Sequence, residues 1–313
     1  MRRVALGAGS RRGLLKAAVC LLVALCAGCA TGAERRRESI LEPLFSIAGA
    51  RLVTRVDIAG GSTADAIGAY VPLVFPVAVA ASFNDIYIAD AGTSRLYRYD
   101  RTLDAMAVMP VANISRATKL QVGPDGSIYV LDPFASEIRR YARSGKQLPA
   151  VRPRQATSRY DNFTVDSLTG KGYAVDSAHL VIDEIQPLGQ FAIDFMRLDE
   201  AGPIATDGRG LFVASTRCGC VVEWIQGRQG RRFGSGKLRQ PLSLGVDGPN
   251  VFVLDGFDRS IALVHEEGIE AMSAAALGMV TPESLAATGG MILIADGAGH
   301  RVSAFRVKSR RAR

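Results

Sequence analysis

The sequence predicts an all-β protein built from a repeated unit of four short strands, and three observations support this prediction. Short apolar strands that end in an acidic residue recur along the chain, as in the stretch from Ile86 to Asp90. The recurrences are about 40 residues apart, which is typical of repeat architectures. The 33 glycines suit a fold with many tight turns, and no helix-length amphipathic period interrupts the array.

The spacing of the strand-terminal acids gives the period of the repeat. These acids are Asp90, Asp132, Asp176, Asp255 and Asp296. Ser215 holds the same place in the fourth unit, so successive gaps are 42, 44, 39, 40 and 41 residues. Six such units of four short strands predict a six-bladed β-propeller.

The predicted strands follow each other through the six units. They cover 77–79, 85–89, 95–99 and 105–111; 117–122, 127–131, 137–141 and 147–151; 163–167, 171–175 and 180–185; 202–206, 210–214, 220–225 and 231–233; 242–246, 250–254, 260–264 and 269–273; and 284–288, 291–295 and 301–307. The sixth unit lacks a fourth strand. The alternating segment from Leu52 to Ile58 is therefore expected to complete the last blade, which would remove the free sheet edges of an open ring.

The first 28 residues have the features of a signal peptide, with a basic start and an apolar run too short for a comfortable membrane span. The segment Leu25-Cys26-Ala27-Gly28-Cys29 resembles a bacterial lipobox, although Cys26 stands where that pattern prefers an aliphatic residue. The resemblance implies cleavage before Cys29 and lipidation of its thiol. Ala30 follows, which implies sorting to the outer membrane, facing the periplasm, and the acyl chains would supply stable membrane attachment.

The sequence patterns of the export signal and of the two segments that flank the repeats are less specific than the lipobox. Ser10-Arg11-Arg12 resembles a twin-arginine export signal, but an ordinary basic start of a Sec-type signal remains an alternative. Residues 29–45 are predicted to be a charged tether, and residues 309–313 a basic tail, either a solubilising end or a contact for anionic lipid. The formal net charge of +8 comes from residues 1–28, with five basic residues and no acid, and from residues 308–313, with four basic residues and no acid. The body between them is close to neutral, so no basic face for nucleic acid is implied.

The repeat resembles the NHL-repeat β-propeller family over about residues 46–308. The resemblance is carried by Tyr87-Ile-Ala-Asp90 followed by Arg95, and by Leu293-Ile-Ala-Asp296 followed by Arg301. It implies the fold and says almost nothing about function. Because the repeated Asp and Arg occur once per blade, we expect them to be structural, with the Asp accepting backbone N–H groups and the Arg pairing towards a neighbouring blade.

The central channel offers a second hypothesis. Six-bladed propellers that resemble gluconolactonases and paraoxonases hold a divalent metal on acidic and Asn ligands near the loops that precede the innermost strands. Asn162 and Glu283, helped by Asp161, are the matching residues here, and they imply a cation such as Ca²⁺. His179, His265 and His300 are isolated and show no zinc-binding spacing, and His300 is expected to be an exposed turn residue.

Cys218-Gly219-Cys220 is the most unusual local feature of the repeat region. An oxidising periplasm could join the two thiols in a small disulfide ring, or could leave one thiol buried and the other exposed. A redox role for this pair is a third hypothesis.

The sequence favours a lipid-anchored, non-enzymatic propeller of the cell envelope. It would act as a binding or assembly scaffold for a periplasmic protein or a surface-polysaccharide system, with no catalytic residue and no cofactor. The alternative is a metal-dependent lactonase or lyase that uses Asn162 and Glu283 in the channel. Whether the chain is an enzyme is left open, with the non-enzymatic role preferred.

Overall fold

A computed structural model of the chain describes residues 39–308 except 56–64, 83, 133, 154–156 and 187–191. From Ile40 onward the chain forms one compact unit. The predicted signal peptide, Cys29, residues 29–38 of the tether and the tail 309–313 lie outside the described residues. In the part of the chain that is described, no helix is long and apolar enough to cross a membrane.

The strands form six sheets, and each sheet is one blade of a six-bladed β-propeller. Three strands precede the first complete blade: β1 (Leu41–Ile47), β2 (Gly49–Arg55) and β3 (Asp65–Pro72). Blades one to three contain β4 (Pro76–Ala81), β5 (Asp85–Asp90), β6 (Arg95–Asp100) and β7 (Ala105–Met109); β8 (Lys119–Val122), β9 (Ile128–Asp132), β10 (Glu137–Tyr141) and β11 (Gln147–Val151); and β12 (Tyr160–Val165), β13 (Gly172–Asp176), β14 (Val181–Ile185) and β15 (Ala192–Arg197).

Blades four to six complete the ring. They contain β16 (Ile204–Thr206), β17 (Leu211–Ser215), β18 (Cys220–Ile225) and β19 (Arg228–Phe233); β20 (Pro241–Asp247), β21 (Asn250–Asp255), β22 (Ser260–His265) and β23 (Gly268–Ser273); and β24 (Pro282–Thr288), β25 (Met291–Asp296) and β26 (Arg301–Val307). A short 3₁₀ helix, Ala275–Leu277, precedes the sixth blade. The all-β, six-bladed architecture predicted from the repeat is confirmed.

The second strand of each blade is covered on both faces, which explains why these segments are continuously apolar. Every residue of β5 is buried, and β9 and β13 are also buried throughout. Neighbouring blades supply the cover: Tyr87 of the first blade packs in one cluster with Ile128 and Val130 of the second. Strands buried on both faces lose the apolar–polar alternation of a half-exposed sheet.

An N-terminal strand closes the ring, as predicted, but it is a different segment. Strand β1 pairs antiparallel with β26, with Leu41 opposite Val307 and Ile47 opposite Val302. Leu41 and Ile47 are each only 2% exposed, so this strand buries apolar side chains as well as pairing an edge. The closing strand therefore begins at Leu41, inside the segment predicted to be tether.

The assignment of the Leu52 to Ile58 segment to the last blade is wrong for residues 52–55, and residues 56–58 lie outside the described part of the chain. Leu52 lies in β2, which pairs antiparallel with β3 and parallel with β7. These two extra strands extend the first blade to six strands. The third blade also has a fourth strand that was not predicted, β15, whose Phe195 ring lies 4.9 Å from the ring of Tyr173.

Candidate functional site

The antiparallel order of the strands sorts the loops between two ends of the ring. The turns that follow Asp90, Asp132, Asp176, Ser215, Asp255 and Asp296 lie at one end, together with the links that lead into the first strand of each blade. We call this end the turn face. The loops that follow Ala81, Val122, Val165, Thr206, Asp247 and Thr288 lie at the opposite end, which we call the vestibule face.

The repeated acids are buried at the turn face and bind backbone N–H groups. Asp296 is fully buried and accepts hydrogen bonds from Thr281 at 2.7 Å, Val280 at 3.1 Å and Gly299 at 3.2 Å. Asp90 binds the N–H groups of the link residues Val74 and Phe75 and of the turn residues Gly92 and Thr93 in the same manner. Each of these two carboxylates therefore joins a link to the turn beside it, which is structural chemistry.

In the fourth blade, the carboxylate that binds the turn comes from the preceding link and not from the end of the second strand. Glu200, in the link before β16, accepts hydrogen bonds from Ser215 Oγ at 2.7 Å and from the Arg217 N–H at 2.9 Å. The acid has moved from the end of the strand to the preceding link. The repeated motif does not predict this role for Glu200, because Glu200 lies in the link before the blade and the motif includes only Ser215.

The repeated arginines are less uniform than the acids. The guanidinium group of Arg301 donates to the Gly278 carbonyl, in the link from the fifth blade, and its Nε lies 3.7 Å from Asp296. Arg95 is exposed. In the second blade Glu137 occupies the position of the repeated arginine. Arg139, two residues later, lies 2.7 Å from Asp132.

The histidines and cysteines lie in separate parts of the ring. Nδ1 of His179 is 2.6 Å from Asp176, Nδ1 of His300 is 2.5 Å from the Val74 carbonyl oxygen, and His265 lies in the fifth blade. The structure joins Cys218 and Cys220 by a disulfide in the turn of the fourth blade. Within the described ranges, no three His, Cys, Asp or Glu residues are grouped so as to hold a metal ion.

The first strand of each blade lines the central channel. In each of these strands, one residue lies opposite the residue that directly precedes the strand-terminal acid of the second strand. In the fourth blade, it lies opposite the residue that precedes Ser215. The residues at this position are Ala78, Lys119, Asn162, Pro203, Ser243 and Ser284. All six line one narrow cavity of about 30 Å³. We call this layer the channel ring.

β-Bulges place acidic side chains beside the channel ring. The pairing register shifts by one residue at the start of the first strand in blades one, three, five and six. The extra residues in blades three and six are Asp161 and Glu283, directly before Asn162 and Ser284. Bulges of this kind redirect side chains and are frequent next to functional sites. Of the predicted channel ligands, Asn162 lines the narrow cavity, whereas Asp161 and Glu283 are not among the residues that line it.

Lys119 is the charged residue of the channel ring that the sequence analysis missed. Burial lowers the pKa of its ammonium group, whereas the negative charges of Glu283 and Asp161 act in the opposite direction. Burial also raises the pKa of the Asp161 carboxyl, assisted by the charge of Asp176 and opposed by a hydrogen bond with Ser177. The alternating sequence Lys119-Leu-Gln-Val122 was the available signal, since it places Lys119 and Gln121 on one side of a strand.

The remaining polar groups of the channel ring differ in their hydrogen bonding. Asn162 Oδ1 accepts the Phe163 N–H at 2.9 Å. Ser243 bridges two blades, since its Oγ contacts the Leu285 carbonyl oxygen at 3.3 Å and the Leu285 N–H at 3.2 Å. Ser284 is 5% exposed, and its Oγ has no hydrogen-bond partner among the residues described.

The channel widens towards the vestibule face into a cavity of about 810 Å³. The wide cavity and the narrow one share the lining residues Gln121, Leu244 and Leu285, so they adjoin each other. The polar side chains of the wide cavity include Thr164, Asp166, Thr206, Asp207 and Asp247. Glu223 also lines it and receives two hydrogen bonds from Arg231, at 2.8 and 3.1 Å.

Comparisons with known proteins give structural similarity only. No model of a protein family matches the chain, and no curated protein matches it. A catalytically inactive virginiamycin B lyase from Staphylococcus aureus with quinupristin has a TM-score of 0.57 at 13% identity, over 86% of this chain and 98% of that one. A gluconolactonase from Xanthomonas campestris has a TM-score of 0.57 at 15% identity, over 75% and 86% of the two chains.

A structure of a nidogen/laminin complex is similar to the same degree. Its TM-score is 0.56 at 14% identity, and the match covers 72% of this chain and 89% of that one. At this level of identity the three similarities concern architecture, and they include two enzymes and a protein–protein complex. The comparisons therefore identify the chain as a six-bladed β-propeller.

Proposed function

We propose that this chain is a lipid-anchored scaffold of the cell envelope that presents its turn face to a protein partner. The observation that carries the proposal is that both ends of the described ring lie together at the vestibule face. Leu41, the first residue of β1, pairs with Val307, the last residue of β26, and the Lys308 N–H donates to the Ile40 carbonyl oxygen at 2.9 Å. Both connecting segments therefore leave the ring at one end.

The position of the chain ends gives the scaffold an orientation. The predicted lipid on Cys29 is 12 residues before Leu41, so the tether reaches at most roughly 40 Å when fully extended. The predicted basic tail, residues 309–313, starts at the same end and would add attraction to anionic headgroups. The vestibule face then lies towards the membrane, and the turn face points away from it.

The turn face has the composition of a protein-binding surface. Phe134 is 79% exposed, Phe257 61% and Val280 52%. The Arg239 guanidinium lies 4.6 Å from the centre of the Phe257 ring. Arginine and aromatic side chains are enriched at the centres of protein interfaces, where they contribute much of the binding free energy. The similarity to a structure of a nidogen/laminin complex supports this class of function.

The test is co-purification of the full-length protein from membranes after cross-linking. A Phe257→Ala/Arg239→Ala double variant should lose the cross-linked protein partner. Leu168→Ala is the matched control, because Leu168 is 83% exposed but lies in the loop after Val165, on the vestibule face. The proposal is refuted if the double variant recovers the same partner in the same amount as the wild type, or if polysaccharide is the only material recovered.

A second candidate function is a metal-dependent lactonase or lyase of the channel. It is favoured by the position of Asp161, Asn162 and Glu283 at the starts of innermost strands, and by the similarity to a lyase and a gluconolactonase. The residues present fit a divalent cation poorly, because they supply few oxygen ligands and the charge of the nearby Lys119 ammonium opposes a second cation. Calcium prefers six to eight oxygen ligands.

One assay separates the two candidates. Purified protein should leave simple lactones unhydrolysed with and without added Ca²⁺ or Mg²⁺. Hydrolysis that disappears with a chelator, returns with the metal and is lost in Glu283→Gln would establish the enzyme and remove the scaffold proposal as the primary function.

A further inference from the structure

We propose that the channel ring is a binding site for a monovalent anionic group, the carboxylate of a small organic acid, with Lys119, Asn162 and Ser284 as its donors. The inference is independent of the scaffold proposal. It starts from the placement of these three side chains, which come from blades two, three and six and line the same narrow cavity. They occupy one layer of the ring because their strands share a common register.

The side chains of Lys119, Asn162 and Ser284 offer mainly hydrogen-bond donors to a ligand. An ammonium group has three donors and no acceptor. Asn162 Oδ1 is engaged by the Phe163 N–H, so the amide NH₂ is the group left for a ligand. Ser284 Oγ is buried without a partner in the described part of the ring. A site rich in donors and centred on a cation is complementary to an anion.

The present arrangement leaves polar groups under-satisfied, which a ligand would correct. A buried hydroxyl without a hydrogen bond destabilises the folded state, and a buried ammonium does so more strongly. Lys119 is partly buried and has no ion pair within 4.0 Å among the described residues, and the charges of Asp161 and Glu283 favour its protonated form. A carboxylate that contacts Lys119 and Ser284 together would satisfy both groups.

The neighbouring carboxylates and the size of the cavity restrict the ligand. Asp161 and Glu283, at the bulges next to the ring, favour the charged form of Lys119 but repel a dianion such as sulfate. The narrow cavity of about 30 Å³ has room for one or two water-sized groups, which suits a halide or a carboxylate end. The rest of an organic acid would extend through Gln121 into the wide cavity.

The experiment is a titration of the full-length protein with sodium acetate, sodium glycolate and sodium chloride, followed by thermal unfolding and by calorimetry. Sodium sulfate holds the ionic strength constant. Acetate and glycolate should give a saturable rise in Tm, because a ligand that binds only the folded state stabilises it. Lys119→Met should weaken this binding at least tenfold, Ser284→Ala should weaken it several-fold, and Lys119→Arg should retain it.

Lys146→Met is the matched control, since Lys146 is exposed and should bind like the wild type. Saturable binding of chloride without binding of acetate or glycolate would overturn the assignment of a carboxylate ligand. The proposal is overturned if no anion binds saturably, or if Lys119→Met binds acetate as the wild type does. It is also overturned if Ca²⁺ raises the Tm through Asn162 and Glu283 while anions have no effect.

Discussion

The backbone N–H of Lys308 donates a hydrogen bond to the carbonyl oxygen of Ile40 at 2.9 Å, at the outer edge of the sixth blade. This bond continues the antiparallel pairing of β1 with β26 by one step. The first and last described strands thus close the ring by pairing with each other, and β1 becomes the outermost strand of the sixth blade.

Closure by β1 predicts a large difference between two leucines of the same strand. Leu41 is 2% exposed and packs with Phe305 and Ile292, whereas Leu44 is 38% exposed. Leu41→Ala should lower the free energy of unfolding by about 2–5 kcal/mol, because it leaves a cavity in the core. Leu44→Ala should change it by no more than about 0.5 kcal/mol. Denaturant unfolding of both variants measures this, and equal effects would contradict closure by β1.

The turn acids are predicted to stabilise the blades. Asp296 is fully buried and accepts three backbone N–H groups, so Asp296→Ala should destabilise the protein by roughly 3 kcal/mol or more. Asp258 is an exposed turn residue of the fifth blade, and Asp258→Ala is the control, with a change near zero. If both variants unfold at the wild-type denaturant concentration, the structural role of Asp296 is wrong.

The Glu223–Arg231 pair predicts a defined pH dependence. Hydrogen bonds from Arg231 hold the pKa of the Glu223 carboxyl below its ordinary value of 4.5, against the opposing effect of burial. A folded-state pKa below the unfolded one gives stability that is fully present above the unfolded value and is lost as the pH falls through the folded value. Glu223→Gln should therefore cost about 2 kcal/mol at pH 7, and less at pH 3.

The measurement is urea unfolding of wild type and Glu223→Gln across that pH range. A difference between the two proteins that grows as the pH falls would contradict the assignment of this pair. Glu267→Gln is the control, because Glu267 is exposed and should be insensitive to the substitution.

In the ligand-free protein, replacing Lys119 is predicted to raise stability, whereas replacing Glu223 is predicted to lower it. Because burial lowers the pKa of its ammonium group in the folded state, charged Lys119 disfavours folding at neutral pH. Lys119→Met should therefore raise the Tm at pH 7, roughly by 2–4 °C for about 1 kcal/mol. The advantage should shrink as the pH rises towards the ordinary lysine pKa of 10.5, since the folded state then loses its proton first.

Thermal unfolding at pH 7 and pH 10 measures this difference, with Lys146→Met as the control. A Lys119→Met protein that is less stable than the wild type at pH 7 would contradict the burial of an unpaired charge. A gain in stability would show that Lys119 is retained at a cost to folding, as residues of binding sites often are.

The array of blades could be predicted from local sequence, because most blades carry their own signal. The buried strand before Asp90 is continuously apolar, and in five of the six blades an Asp at the end of this strand binds the turn that follows it. The closing strand could not be assigned in this way. Leu41–Ile47 and Gly49–Arg55 both carry apolar residues at strand-like spacing, and the choice between them depends on packing against residues more than 200 positions away, such as Val307 opposite Leu41.

The channel was only partly predictable. Asn162 and Glu283 were found because oxygen ligands were sought at the starts of the innermost strands. Lys119 and Ser284 were missed because their common layer depends on the strand register and on the bulges at Asp161 and Glu283, which residue spacing does not reveal. Glu200 was missed because the acid lies outside the repeated motif.

Photo-cross-linking in intact cells is the most direct test of the proposed orientation, in which the vestibule face lies towards a membrane and the turn face binds a protein. A photoreactive amino acid is placed at position 257 on the turn face or at position 168 on the vestibule face, both exposed in the wild-type protein. We expect a protein adduct from position 257, and lipid contact or no adduct from position 168. A protein adduct from position 168 with none from position 257 would contradict it.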